Sequence, residues 1–414
     1  MAKYDTEVVI IGGGAAGIAA GRHLAKAAIE CLVVEARPRL GGRAWTVKDA
    51  SGFALDLGCG WLHSADRNPW ATVALAQGRN IDKSPPPWER PPMSIGFPLA
   101  EQENFRRALH KYFADVDSMA NMKRDVAASS ALAPNGRWNN LIGAVGTFIS
   151  GAEPDRVSAR DFDAYDDSGV NWRVREGYGA TIAAHGEGLS VVVDCPVLQI
   201  DHGGKRLRIE TAKGAITADQ AIVTLPSAVL ADKEFLFSPA LPEKTESARG
   251  LPLGLADKLF LSLEKPEEFE SGSQLFGNID RVATAAYYFR PFGRPMIECY
   301  VGGRCASELE AGGERAFFDF AVAQLGALLG SDFPRRVKPV YSHRWGADPF
   351  ARGSYSYAQP CMAHCRAELA APVNDRLFFA GEACSPNNFS TAHGAYLSGV
   401  AAADQAIAVR KRKR

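Results

Sequence analysis

The sequence predicts an α/β fold: a largely parallel sheet with crossover helices, interrupted by a second, α+β domain. Three observations carry this. An apolar run, Val8-Val9-Ile10-Ile11, leads through a glycine turn into an Ala-rich helix. A β-rich stretch returns at about 191–226, after a long helical segment. A short apolar strand near 376–380, a second glycine turn and a final Ala-rich helix end the sequence.

Taken in order, the first strand spans Glu7 to Ile11, and its unbroken apolar run suits a buried parallel strand. A helix follows from about Ala15 to Ala27, then a strand from Cys31 to Val34, which together make a βαβ-like start. Residues 84–98 carry six prolines, which exclude a helix interior and mark a domain crossing. Residues 101–150 read as mostly helical, beginning with Glu101–Asp117. The β-rich stretch contains 191–193, 197–200, 206–211 and 221–225, with a turn at Lys213-Gly214. Alternation in Leu207, Ile209 and Thr211 suits a half-exposed meander strand. Further strands are expected at 259–263 and within 285–301. The expected division places 1–80, 175–248 and 350–414 in one domain and 81–174 and 249–349 in the other.

A length of 414 residues suits about two to three domains. Lys+Arg and Asp+Glu each total 47, so nothing draws the chain to nucleic acid or an anionic membrane. The 8 cysteines are scattered, and Cys361 and Cys365 with His364 between them fall short of a four-ligand cluster. No metal site is expected, and free thiols point to a reducing cytosol. There is no signal-peptide pattern and no run of the roughly 20 apolar residues a spanning helix needs. A cytoplasmic location follows as the expectation. The basic residues from Arg410 to Arg414 are expected to form a solvated, disordered tail.

The chemistry begins with Gly12, Gly14 and Gly17, spaced G-x-G-x-x-G. The pattern gains weight from the strand before it, the helix opened by Ala15 and Ala16, and Glu35 at the end of the next strand. Gly12 permits the tight turn, Gly14 lets the backbone approach a pyrophosphate, and Gly17 lets helix and sheet pack closely. The helix N-terminus offers unpaired N–H groups to phosphates, and Glu35 can accept hydrogen bonds from ribose hydroxyls. The fingerprint alone does not separate NAD from FAD.

After Ala36, the segment Arg37-Pro38-Arg39-Leu40-Gly41-Gly42-Arg43 resembles the second motif of FAD-binding oxidoreductases. Asp56 to His63, with Gly58, Gly60 and Trp61, looks like the flavin-edge segment of the flavin amine oxidase family, followed by its Asn68-Pro69. Residues 376–399, RLFFAGEACSPNNFSTAHGAYLSG, resemble that family's C-terminal motif. So do 345–357, 251–265 and Glu176-Gly177-Tyr178-Gly179. Within the family the likeness is to polyamine oxidases and lysine-specific histone demethylases. The helical insert at about 84–170 shows no such resemblance, so the substrate stays open.

The resemblance implies a Rossmann-like FAD-binding domain with a discontinuous α+β substrate-binding domain. It implies hydride transfer from a neutral amine to the flavin, hydrolysis of the imine, and reoxidation by molecular oxygen to hydrogen peroxide. The implied partners are a small-molecule amine and oxygen, with no nucleic acid and no membrane; a homodimer is left open. Val197 takes the position of a backbone contact to adenine. Trp345 belongs to the matching segment. Gly381 and Glu382 would meet a ribityl or ribose hydroxyl. The helix from Thr391 and Ala392 would point its positive end at the flavin. Lys258 matches the lysine that holds a water near the flavin N5 and assists reoxidation. Tyr355 and Thr391 occupy the positions of two facing aromatics in many relatives, and Tyr357 offers a second ring. Ser354 stands where some relatives carry a flavin-attaching Cys, which implies non-covalent FAD. Cys384 is no attachment point, and His63 and His393 are structural. Three alternatives stay open: a flavin desaturase or porphyrinogen-type oxidase acting on C–C bonds, an L-amino-acid oxidase needing an Arg for the carboxylate, and a non-catalytic FAD-binding scaffold.

Overall fold

Four consecutive apolar side chains can all be buried only where a strand is covered on both faces. In the computed structural model, which describes residues 4–232 and 236–413, this is the setting of the first strand, Tyr4–Ile11. Val8 and Ile10 pack into one apolar cluster with Ile18 and Leu24. Val9 and Ile11 pack into another, on the opposite face, with Ile209 and Leu377. The strand pairs in parallel with Cys31–Val34 on one side and Gly214–Val223 on the other. Leu377–Phe379 joins Gly214–Val223 in parallel, and Val191–Val192 extends the sheet beyond Cys31–Val34.

Val197–Asp201, Leu207–Thr211 and Gly214–Val223 form the antiparallel meander expected at this point. Leu207, Ile209 and Thr211 are buried while Arg208 is exposed, as the alternation requires. The first helix, Ala15–Lys26, packs against the last, Ala392–Lys413. Its approach to the strand depends on Gly17: a Cβ there would lie 1.9 Å from the Gly12 carbonyl oxygen.

A second sheet is antiparallel, in the order Ser273–Phe276, Ala286–Phe289, Met296–Gly302, Ala256–Leu263, Val337–Ser342. Leu259, Leu261 and Leu263 face a core shared with the helices Gly303–Gly312 and Glu314–Leu329. The two-residue period turns Lys258 to the other face. The strands at 273–276 and 337–342 were not among the sequence expectations. The proline-rich crossing leads to helices Leu99–Ala120, Asn139–Ser150 and Ala159–Asp163, which share an aromatic-rich core with Phe97, Phe105 and Trp138.

The basic C-terminus departs from expectation. The last helix continues through Lys413, and Arg410 ion-pairs with Glu7 and, at 3.5 Å, with Asp219. Val409 beside it is buried, so apolar packing and ion pairs order this turn as helix, while Lys411 and Arg412 are exposed as expected. Arg414 lies outside the described residues. Among the described residues no helix is long and apolar enough to cross a membrane.

Candidate active site

One cavity of about 1100 Å³ runs from the N-terminal glycine turn to the helical insert. At the first end Gly12 takes φ +108°, a conformation that favours glycine, and turns the chain into the helix. A Cβ at Gly14 would meet nothing closer than 3.9 Å, so its absence leaves space on the cavity side. The helix Ala15–Lys26 has no side chain capping its N-terminus. Its first N–H groups, at Ala15 and Ala16, are thus available to an anion.

Glu35 is buried here and accepts hydrogen bonds from the backbone N–H of Gly13 (2.6 Å) and Arg37 (2.8 Å). Ala36, Gly41, Gly42, Gly58, Gly60, Trp61, Val197, Gly381 and Ala392 also line the cavity. Gly17 does not; its place is in the close packing of helix on strand, the role its position in the motif gives it. This donor set and volume fit a dinucleotide: anion-accepting N–H groups, a carboxylate where ribose hydroxyls would lie, and room for a second ligand.

Charged side chains of the expected motifs turn out to be paired with protein groups. Arg37 donates to Asp348 at 2.6 Å. Burial raises the Asp348 carboxyl, but bonds from His343 and Arg37 outweigh this and hold it below the usual carboxylate range. Arg43 donates to Glu382 and to the Ser354 carbonyl, both at 2.9 Å. Glu382 also accepts from the Ser356 hydroxyl (2.6 Å) and the Ser390 N–H (2.9 Å). Burial opposes ionisation of Glu382, yet Arg43, the Ser356 hydroxyl and Arg366 keep its pKa lowered. Trp345 is buried, with its indole N–H on the Leu57 carbonyl at 3.1 Å.

Lys258 is buried, not a surface strand residue. Its ammonium donates to the Asp56 carbonyl at 2.9 Å and lies 3.3 Å from Glu298. Tyr355 donates to the Phe148 carbonyl at 2.6 Å, and its oxygen lies 2.9 Å from that of Tyr300. Thr391 lines the cavity, but its hydroxyl is used locally, donating to the Asn388 carbonyl (2.6 Å) and accepting from the Gly394 N–H (3.0 Å). Ser354 bridges to both backbone groups of Ala256. Tyr357 lines the cavity, whereas Cys384 is buried away from it with its thiol pushed up to about 12 by desolvation.

Of the two histidines, His63 lines the cavity and bonds Asn171 at 2.6 Å. His393 is buried, with its Nε2 unpartnered and its pKa pushed down to about 4 by desolvation. Away from the cavity, His364, Cys365 and Glu368 bring donor atoms within 4.8 Å of one another, a closer set than sequence spacing implied.

Sequence reasoning missed Glu298, Tyr288 and Tyr300, all on the cavity wall. A usable signal existed: in Met296–Val301 a glutamate interrupts an apolar strand, and a buried charge demands a partner. It also missed the insert's share of the wall, Leu109, His110, Phe113, Phe148 and Phe162.

This geometry agrees with the likeness to known proteins. The profile described as flavin containing amine oxidoreductase matches residues 15–89 and 97–407. Polyamine oxidase 2 of Arabidopsis thaliana is 30% identical over 98% of this chain and 88% of its own length. Lysine-specific histone demethylase 2 of Homo sapiens is 25% identical over 98% of this chain and 54% of its own length. Among solved structures, wild-type putrescine oxidase bound to putrescine shares the fold with a TM-score of 0.77 at 19% identity, over 98% of this chain and 100% of that one. A redesigned putrescine oxidase reaches a TM-score of 0.80. With its mixed α/β fold and this cavity, the chain belongs to the flavin-containing amine oxidoreductases and is a flavin-dependent amine oxidase.

Proposed function

We propose that the protein holds FAD without a covalent bond and oxidises an extended or N-substituted amine, with oxygen as acceptor and hydrogen peroxide as product. The observation that carries this is the continuity of one cavity, from the uncapped helix N-terminus and Glu35 to Lys258, Tyr355 and the aromatic insert. FAD, when bound, supplies the acceptor for the hydride that leaves the carbon beside the amine nitrogen. The groups assigned to hold it are the glycine turns at 12–17 and 41–42, Glu35, Val197 and the segment 381–392. Ser354 bonds Ala256 and offers no thiol for attachment.

Tyr355 presents a ring anchored at its hydroxyl, suited to orienting the nitrogen. Thr391 on the facing segment is small, which leaves width for a substituted nitrogen. Asp167, exposed and lining the cavity, gives a carboxylate where the cationic tail of a long amine would emerge. The L-amino-acid alternative is less well supported. Among the described cavity-lining residues the arginines are Arg37 and Arg43, and both are engaged by carboxylates. We assign 1–80, 175–248 and 350–414 to the FAD domain and 81–174 and 249–349 to the substrate domain. Eight unpaired cysteines support a reducing, cytoplasmic setting.

Acid precipitation tests the cofactor claim. The yellow colour should pass into the supernatant as FAD; a yellow pellet would refute the non-covalent claim. A colourless protein that takes up no flavin would overturn the proposal.

A further inference from the structure

We propose that Glu298, clamped by Arg173, is a positioning residue that fixes the Lys258 ammonium at one point on the cavity wall. The inference rests on the reading of Lys258 as the residue that assists flavin reoxidation by oxygen.

The register places these groups together. Lys258 pairs with Tyr300, and Phe260 with Glu298, across the antiparallel strands Ala256–Leu263 and Met296–Gly302. Residues two apart share a face, so Glu298 lies diagonal to Lys258 on the side that lines the cavity. A lysine has a long, flexible stem and loses rotamer entropy when held in one place. Here its head has two anchors, the Asp56 carbonyl at 2.9 Å and Glu298 Oε1 at 3.3 Å. The glycine at position 60 leaves it room: a Cβ there would lie 3.1 Å from Lys258 Nζ.

Glu298 is itself fixed. Its Oε2 accepts from Arg173 Nη2 at 3.0 Å, and the Arg173 guanidinium sits 5.0 Å from the Trp61 ring and 4.8 Å from the Phe292 ring. Each carboxylate oxygen therefore serves a different cation. Burial works against the Glu298 charge, but Arg173 and Lys258 hold its pKa below the ordinary value. A buried ammonium without a counter-charge is disfavoured, and Glu298 supplies one to Lys258. Arg173 lies on the short strand Arg173–Val174, which pairs with Ile81–Asp82, so the clamp also ties this crossing to the second sheet.

The test uses Glu298→Gln, Glu298→Asp, Arg173→Lys and Lys258→Met. In flavin-free protein, amine-selective labelling of Lys258, read by mass spectrometry, should run at least about tenfold faster in Glu298→Gln than in wild type. In the flavin-loaded protein, reoxidation by oxygen should slow by about fivefold or more, while anaerobic reduction by a saturating amine stays within about twofold. Glu298→Asp and Arg173→Lys keep the charges and should fall between; they carry the test if Glu298→Gln does not fold. Wild-type labelling and wild-type reoxidation in the Glu298 variants, with Lys258→Met slow, would overturn the clamp and leave the lysine reading intact. Wild-type reoxidation in Lys258→Met would instead overturn the lysine reading, with the labelling arm still deciding whether Glu298 holds Lys258.

Discussion

At one end the cavity wall is mostly backbone: Gly12, Gly14, Gly41 and Gly42, with the N–H groups of a helix start between them. At the other it is mostly rings: Phe113, Phe148, Phe162, Tyr300 and Tyr355, drawn from separate elements. A backbone wall needs particular residues at fixed spacings, since only glycine tolerates the φ of +108° at Gly12. A wall of rings needs only bulk in the right place, and many sequences supply that. The first kind can be read from one sequence, whereas the second is decided by packing.

The largest expected effect comes from cutting the joint between the two ends. Arg366, buried, donates to Asp161 at 2.6 and 2.8 Å and to Ser356 at 2.9 Å, and Ser356 bonds Glu382. Asp161 comes from the insert and Glu382 from the C-terminal glycine turn. Asp161→Ala leaves a buried guanidinium without its counter-charge and should cost about 3–5 kcal/mol in denaturant unfolding. A loss below about 1 kcal/mol would show that the two walls do not depend on this pair.

Next comes a pH effect at the start of the last helix. His393 has its folded pKa lowered from 6.5 to about 4. The unfolded chain therefore takes up a proton first as pH falls. Stability should drop between pH 6.5 and about 4, by on the order of 2–3 kcal/mol from this group. His393→Phe should flatten that part of the stability curve; an unchanged slope would assign the acid sensitivity elsewhere.

Tyr355→Ala should lower the rate of anaerobic flavin reduction by about tenfold, or 1.4 kcal/mol, while flavin stays bound. Equal loss of flavin would show that Tyr355 supports the cofactor end instead. The smallest effect is expected at the rim. His110, exposed on the insert helix, should on replacement by Ala shift amine KM by less than about tenfold with kcat unchanged. A changed kcat would place the insert closer to the chemistry than its position suggests.

The parallel strands at 8–11 and 31–34, the glycine turns and the last strand and helix were legible because buried strands and tight turns leave local marks. Lys258 was found through its surrounding segment, and its burial among Asp56 and Glu298 was not, because those partners are distant in sequence. The hydrogen-bonding of Glu382 and Thr391 to protein groups was likewise invisible, since each partner is supplied by tertiary folding or a local cap. Arg410 misled for the opposite reason: its local charge was plain, but Glu7 and Asp219, which bind it, lie elsewhere.

The central claim is that a flavin and an extended amine meet in this one cavity. Anaerobic mixing of the yellow protein with a size-graded amine series, followed by flavin absorbance, tests it most directly. Bleaching is expected, faster with long or N-substituted amines than with benzylamine. Bleaching fastest with the smallest primary amines would contradict the width assigned to the site beside Thr391, and no bleaching by any amine would contradict the claim itself.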